Sequence, residues 1–371
     1  MPKDKWKSDL EEYILQGEPG KAEKSYAWKT AIGLQDVDGL KTSQYLLDTA
    51  KEHIEGKIDI ATAQRRIESY YESRKERKED EEGTKEADIV SSRITELLEE
   101  KTFQFSPAFL TSIHKRLFKD IFDHAGRFRP YNITKKEWVL NEDTVYYSSC
   151  DSIKETLDYD FGQEKQFSYD GLSLKESVRH LAKFCAGIWQ IHPFCEGNTR
   201  TTAVFMLKYL QTFGFKADND IFAENSWYFR NALVRANYTD IQKGVKATKE
   251  YLERFFENML LGAKNVLKNR YLHIDYTDQS QSAKSDVSKC HSDIQSAKND
   301  DSKCQSVTLE ELAVLREIVK KPVVTQKELA VIIGVSERTI KRRTVALQEK
   351  GALKRANGKR NGKWEVMIPL S

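Results

Sequence analysis

The residues of this chain best suited to chemistry lie together in His192-Pro193-Phe194-Cys195-Glu196-Gly197-Asn198-Thr199-Arg200. An imidazole takes up a proton near neutral pH, which suits His192 to the part of general base. Glu196 is a hard oxygen donor of the kind that shares a magnesium ion with phosphates. Gly197 and Asn198 tolerate a tight, partly left-handed turn in which successive N–H groups converge on an anion. Arg200 adds a permanently charged planar fork matched to phosphate oxygens. Base, metal ligand and phosphate cradle therefore share one short segment. Cys195 reads as an incidental side chain rather than a nucleophile.

Two elements must position this segment. Upstream, Val178 to Trp189 repeats its apolar residues three or four apart and predicts a buried helix. Downstream, Thr201 to Phe213 does the same and stops at Gly214, a usual helix end. The segment is then a loop clamped at both ends by packing, with its backbone left to meet a ligand. It opens onto the start of the second helix, whose unpaired N–H groups favour an anion.

The loop resembles the signature of the Fic family, H-x-F-x-(D/E)-G-N-(G/K)-R-x-x-R. The resemblance implies a protein adenylyltransferase, which moves AMP from Mg-ATP to a hydroxyl side chain of a target protein. It implies His192 as the base, Phe194 as the apolar anchor of the loop, and Glu196 as the magnesium ligand. Phe194, Glu196, Gly197, Asn198, Thr199 and Arg200 would form the nucleotide site. Thr199 stands where the family has Gly or Lys, and Ala203 where it has a second arginine. The two-arginine clamp is thus broken, because residues 200 and 203 lie about one turn apart on a helix. His124-Ala125-Gly126-Arg127-Phe128-Arg129 resembles the A-G-x-x-R segment near the start of Fic domains. Glu137 to Tyr147 is the strand-like stretch of this unit, resembling the hairpin flap that aligns a target by strand addition. Tyr228 and Asn231 sit at helical spacing and read as core before they read as adenosine contacts. His114, His124 and His180 share no metal-ligand spacing and read as structural.

Composition bounds the rest. The 371 residues are 39% hydrophobic and 11% aromatic, enough for at least one sizeable core, and the net charge of +3 selects no partner. The five cysteines give no disulfide framework, and no apolar run reaches membrane length. The expectation is a cytoplasmic protein without a membrane role.

Residues 1–72 read as short helices resembling the antitoxin module found beside Fic domains, which carries an inhibitory S/T-x-x-x-E-G/N motif. The nearest forms here are Leu34-x-x-x-Asp38-Gly39 and Ser92-x-x-x-Glu96, neither complete, so Asp38, Ser92 and Glu96 are the inhibitory positions to examine. Residues 73–86 are almost wholly charged and read as a solvated helix or linker. The Fic unit is expected over 87–270. Residues 278–306 repeat a polar Gln-Ser-Ala-Lys pattern and read as a flexible tether, which also accounts for Cys290, His291 and Cys304 better than zinc does.

Residues 307–371 resemble a winged helix-turn-helix. Thr325 to Glu328 forms a capping box, Gly334 makes the turn, and Ser336 caps the next helix. From 331 onward ten basic residues face three acidic ones, a net of +7. DNA binding is expected through Arg338, Lys341, Arg342 and Arg343 on that helix and Lys359 and Arg360 in the wing, against the plainer use of the fold for protein contacts.

The sequence therefore predicts a mostly helical protein. It comprises a Fic bundle with a small hairpin flap and a C-terminal winged helix. The expected activity is autoinhibited AMP transfer with ATP and Mg2+. The alternative is a DNA-binding transcriptional regulator whose Fic domain is non-catalytic or senses nucleotide. Oligomeric state is left open, a homo-oligomer included.

Overall fold

The computed structural model describes residues 5–73, 79–216, 220–276, 307–356, 362–368 and 370. The N-terminal region consists of α1 (Lys5–Leu15), α2 (Pro19–Gly33), a short 3-10 turn (Leu34–Asp38), α3 (Gln44–Ile54) and α4 (Ile60–Glu72). Its helix starts are written locally. Ser43 Oγ accepts the Leu46 N–H at 3.1 Å and Asp59 Oδ1 the Thr62 N–H at 2.7 Å, each meeting a donor that the first turn leaves unpaired. Trp28, Leu46, Ile67 and Tyr71 close a small core between these helices.

The charged run continues as helix: α5 spans Glu79–Glu99, so the expected boundary at residue 87 falls inside one element. Residues 83–86 are half-buried, and Asp88 is fully buried and accepts hydrogen bonds from the Ser43 backbone N–H at 2.8 Å and the Tyr71 hydroxyl at 2.7 Å. These bonds pin the N-terminal helices to α5.

The central bundle is α6 (Pro107–Phe118), α7 (Ile153–Gln166), α8 (Leu174–Ile191), α9 (Asn198–Thr212), α10 (Ile221–Ala236) and α11 (Glu250–Phe256). Ser173 and Glu176 form a capping box at the start of α8. Every residue of α9 from Asn198 to Leu210 is buried, the mark of a helix surrounded on all sides. Even Lys208 is enclosed; its Nζ donates to the Glu100 carbonyl just past the end of α5, and burial lowers its pKa to about 8.

The flap segment departs from the expected ladder. It is a 3-10 turn (Trp138–Leu140) closed by one antiparallel bridge, Glu137 to Asp143. Glu137, Val139 and Val145 turn into the interior while Trp138 and Tyr146 are exposed, so the two arms keep a strand-like alternation that Leu140, buried in the turn, interrupts. The Val139 carbonyl is taken by the Ile274 N–H at 2.9 Å, not by a facing strand.

The last unit is α12 (Leu309–Lys320), α13 (Gln326–Ile333), α14 (Glu337–Glu349) and an antiparallel pair, β1 (Leu353–Ala356) with β2 (Lys363–Val366), Leu353 opposite Val366. The expected capping box at Thr325 and Glu328, the left-handed Gly334 and the Ser336 cap are all present. The unit packs on the far end of α9. A Cβ on Gly214 (φ +97°) would lie 2.7 Å from Ile333 Cγ2 and 3.2 Å from Ala313 Cβ. Arg316 Nη1 donates to the Met259 carbonyl at 3.1 Å, with its guanidinium above Phe215. The tether of 278–306, with Cys290, His291 and Cys304, lies outside the described residues. Among the described residues, no helix is long and apolar enough to cross a membrane.

Candidate active site

α8 ends and α9 begins where the sequence places the loop. His192 caps α8 in the left-handed region (φ 50°, ψ 59°), and Gly197 precedes α9 with φ 71°. The strain at His192 is held by Arg129. Its Nε donates to the His192 carbonyl at 2.7 Å, its Nη1 to the Tyr131 carbonyl at 2.7 Å, and its backbone N–H to the Pro193 carbonyl at 2.9 Å. Arg129 is thus the arginine of the A-G-x-x-R segment put to use: a buried fork that ties flap to loop.

The His192 ring packs on Tyr147, 4.2 Å between centroids, and edge-on to Trp189 at 5.5 Å. Both ring nitrogens are buried without a hydrogen-bond partner among the described residues. Burial, with Lys135 and Arg129 adding positive charge, pushes its pKa well below the ordinary imidazole value. A neutral, unpaired imidazole is the form a general base requires.

The loop between His192 and α9 is fixed by its own polar groups. Phe194 stacks on His114 with centroids 3.7 Å apart. His114 Nδ1 accepts the Gly126 N–H at 2.8 Å and its Nε2 bonds the Glu196 carbonyl at 3.0 Å, a pattern that needs a neutral ring; burial lowers its pKa to about 4. Asn198 Oδ1 accepts from the Phe194 N–H at 2.9 Å and its Nδ2 donates to the Phe194 carbonyl at 2.7 Å, so this side chain closes the loop. Thr199 Oγ1 accepts from Trp189 Nε1 at 3.0 Å. A Cβ on Gly197 would sit 2.4 Å from the Phe118 ring. What remains open to a ligand at Asn198 and Thr199 is backbone, the first-turn N–H groups of α9.

Arg200 is 2% exposed and ringed by oxygens: Asp38 Oδ2 lies 2.8 Å from its Nε, Glu86 Oε1 2.6 Å from Nη2, and Gln35 Oε1 3.0 Å from Nη1. Its plane lies over Phe118. Of the three inhibitory positions named from the sequence, Asp38 alone meets this arginine. Ser92 is buried on its own helix, donating to the Ile89 carbonyl at 2.8 Å, and Glu96 pairs with Arg116 at 3.0 Å. Glu86 went unnoticed because it sits in the charged run, where nothing distinguishes one carboxylate from its neighbours. Ala203 faces the core.

A cavity of about 650 Å³ lies against the loop, walled by Asp38, Glu86, Phe122, Glu196, Arg200 and Arg230 among others. His192 is not on its wall; Tyr147 covers the imidazole. Glu196, 54% exposed at the rim, pairs with Lys135 Nζ at 2.9 Å, a flap residue that sequence reasoning did not select. Tyr228 and Asn231 are in the core, the latter donating to Asn269 Oδ1 at 2.7 Å. His180 pairs with Glu164 at 2.5 Å and stacks on Phe167, away from the loop.

Residues 104–210 match the Fic/DOC family, and 311–354 match a winged helix-turn-helix DNA-binding family. Residues 104–210 form a Fic domain. The chain is 24% identical over 191 residues, 48% of its length, to protein adenylyltransferase VbhT of Bartonella schoenbuchensis. It is 27% identical over 158 residues, 41% of its length, to a probable protein adenylyltransferase, y4lH, of Sinorhizobium fredii. It spans 39% of the first relative and 75% of the second. Among solved structures, the N-terminal Fic domain of the Bep8 protein of a Bartonella species is similar at 21% identity and TM-score 0.37, covering 48% of this chain and 85% of that one. A Fic family protein from Desulfovibrio desulfuricans is similar at 13% identity and TM-score 0.43, covering 98% and 94%.

Outside the Fic domain, α14 of the winged helix carries Arg338, Lys341 and Arg342 exposed at the three- and four-residue spacing of one helix face. Arg343 differs: it is partly buried, and burial lowers its pKa. Lys359 and Arg360 lie outside the described residues.

Proposed function

We propose that this chain is a Fic-type protein adenylyltransferase held in a closed resting state. The observation that carries the reading is the His192 imidazole, kept neutral and unpaired at the mouth of a loop whose other end is a helix N-terminus and an arginine. In this reading His192 Nε2 or Nδ1 takes the proton of a target Ser, Thr or Tyr hydroxyl. The freed oxygen bonds to the innermost phosphorus of ATP as the bond to pyrophosphate breaks. The first N–H groups of α9 and the Arg200 guanidinium receive the phosphate charge.

The residues fit a magnesium ion: Glu196 is an exposed hard oxygen pair, and the Lys135 ammonium already beside it marks a position that attracts a cation. A bound Mg2+ would neutralise phosphate charge there, with Glu196 as the protein ligand.

Two contacts support autoinhibition. Glu86 and Gln35 each accept a hydrogen bond from Arg200 and Asp38 is ion-paired with it, while Tyr147 packs on His192. An incoming nucleotide has to displace the carboxylates, and a target hydroxyl has to displace the tyrosine. The decisive experiment is labelling of protein from α- and γ-labelled ATP with the parent and His192→Ala. Transfer of the α-label alone, lost in His192→Ala, is expected; γ-label transfer or persistence in the variant would end the assignment.

A second reading concerns the C-terminal unit. Its exposed basic face on α14 supports duplex DNA binding, tested by steep salt dependence of binding to DNA carrying the chain's own promoter. The two readings are compatible in one chain.

A further inference from the structure

Ala203 leaves the motif one guanidinium short, and its own position is fully buried in the core, so α9 brings no second charge to the cavity from there. A second guanidinium lines the same cavity regardless. It belongs to Arg230 of α10.

Its placement is built rather than incidental. Glu137, with a fully buried carboxylate, holds it bidentately, 2.5 Å to Nη1 and 3.1 Å to Nη2. The Trp227 ring lies beneath the guanidinium, 5.2 Å from its carbon to the ring centre. α10 breaks its regular winding at Asn225 (φ −130°, ψ 24°), directly before Ser226, whose hydroxyl donates to the Gly33 carbonyl at 2.6 Å. That break sets the azimuth of Trp227 and Arg230 on the next turn. An arginine has five N–H donors, and Glu137 takes one on each terminal nitrogen, fixing the plane while leaving donors for a ligand. Arg230 is 16% exposed where Arg200 is 2%. Of the two cavity arginines it is therefore the one more open to a ligand.

We infer that Arg230 binds a phosphate group of the nucleotide, supplying from α10 the second guanidinium that the motif helix lacks. The inference rests on the reading of this cavity as a nucleotide site. It has a structural corollary: Glu137 stands at the base of the flap, so the ligand and the flap meet through one ion pair.

The test is equilibrium binding of ATP and of adenosine to the full chain, followed through tryptophan fluorescence, in the parent, Asp38→Ala, and Arg230→Lys in each background. Lysine keeps the charge and a partner for Glu137 but loses the fork. The expected result is a rise of about tenfold in the ATP Kd for Arg230→Lys, the size of one charged hydrogen-bonding contact, with adenosine binding unaltered. Unchanged ATP affinity, or equal weakening of ATP and adenosine, would overturn the inference. Arg230-dependent ATP binding without AMP transfer would support it while overturning the adenylyltransferase reading. Absence of ATP binding in the parent and in Asp38→Ala alike would overturn both.

Discussion

Asp38 Oδ2 lies 2.8 Å from Arg200 Nε, joining the first short 3-10 turn of the chain to the arginine of the motif helix across 162 residues of sequence. The aspartate is 36% exposed and the arginine 2%, so the pair sits at the edge of the cavity, where a ligand can compete for it.

Removing the competitor should open the site. Asp38→Ala combined with Glu86→Gln is expected to tighten ATP binding about tenfold or more, since the charged Glu86 hydrogen bond given up by the resting state is worth roughly 1.5–3 kcal/mol and the Asp38 ion pair is lost with it. Label transfer should rise with it. Calorimetric titration with ATP showing no gain would remove these carboxylates from any regulatory role.

Loss of the proposed base should cost activity and not stability. His192→Ala removes a ring with no hydrogen bond to lose, so its melting temperature is expected within a few degrees of the parent while α-label transfer disappears. A large drop in melting temperature would recast His192 as a packing residue.

Gly197 should be intolerant for two separate reasons. Alanine there meets a left-handed backbone (φ 71°) and a Cβ contact of 2.4 Å with Phe118. Gly197→Ala is expected to lower unfolding stability by roughly 2 kcal/mol or more through strain and overpacking. Urea denaturation with an unchanged midpoint would show the loop to be plastic.

Acid should destabilise the fold early. Burial lowers His53 and His114 to about 4 and lowers His192 too, so between pH 6.5 and 4 the unfolded chain binds more protons than the folded one. Stability then rises with pH through that window and is lost on going down, by at most about 3 kcal/mol for each of His53 and His114. Melting curves from pH 7 to 5 should show the decline, shallower in His114→Gln. A flat profile would mean that the rings titrate freely.

On the winged helix, Lys341→Ala and Arg342→Ala should each reduce the slope of log affinity against log salt by about one, whereas Arg343→Ala, partly buried, should leave it nearly unchanged. Equal effects at all three would place the duplex elsewhere.

Much of this was legible in the sequence. The loop and its two helices follow from apolar spacing and Gly197, and the caps at Thr325 and Ser336 are readable because capping is local chemistry. The winged helix followed in the same way. Asp38 was found by its resemblance to a motif it only half matches. Glu86, Lys135 and Arg230 were not, because their roles depend on which distant element they face, and nothing local marks a salt-bridged carboxylate apart from a solvated one. The flap keeps the alternation its residues suggest, with Val139 and Val145 buried and Trp138 and Tyr146 exposed, but the 3-10 turn at Trp138–Leu140 leaves one bridge where a longer ladder was expected.

The seat of the winged helix on Gly214 bears on how the protein can be dissected. Ile333 and Ala313 crowd the glycine at the end of α9, and Arg316 sits over Phe215, so a cut within residues 278–306 would strip a greasy facet bare at one pole of the same rod that starts at Asn198. The Fic domain in isolation is expected to aggregate, and its partner to lose its perch, although the sequence draws them as separable modules.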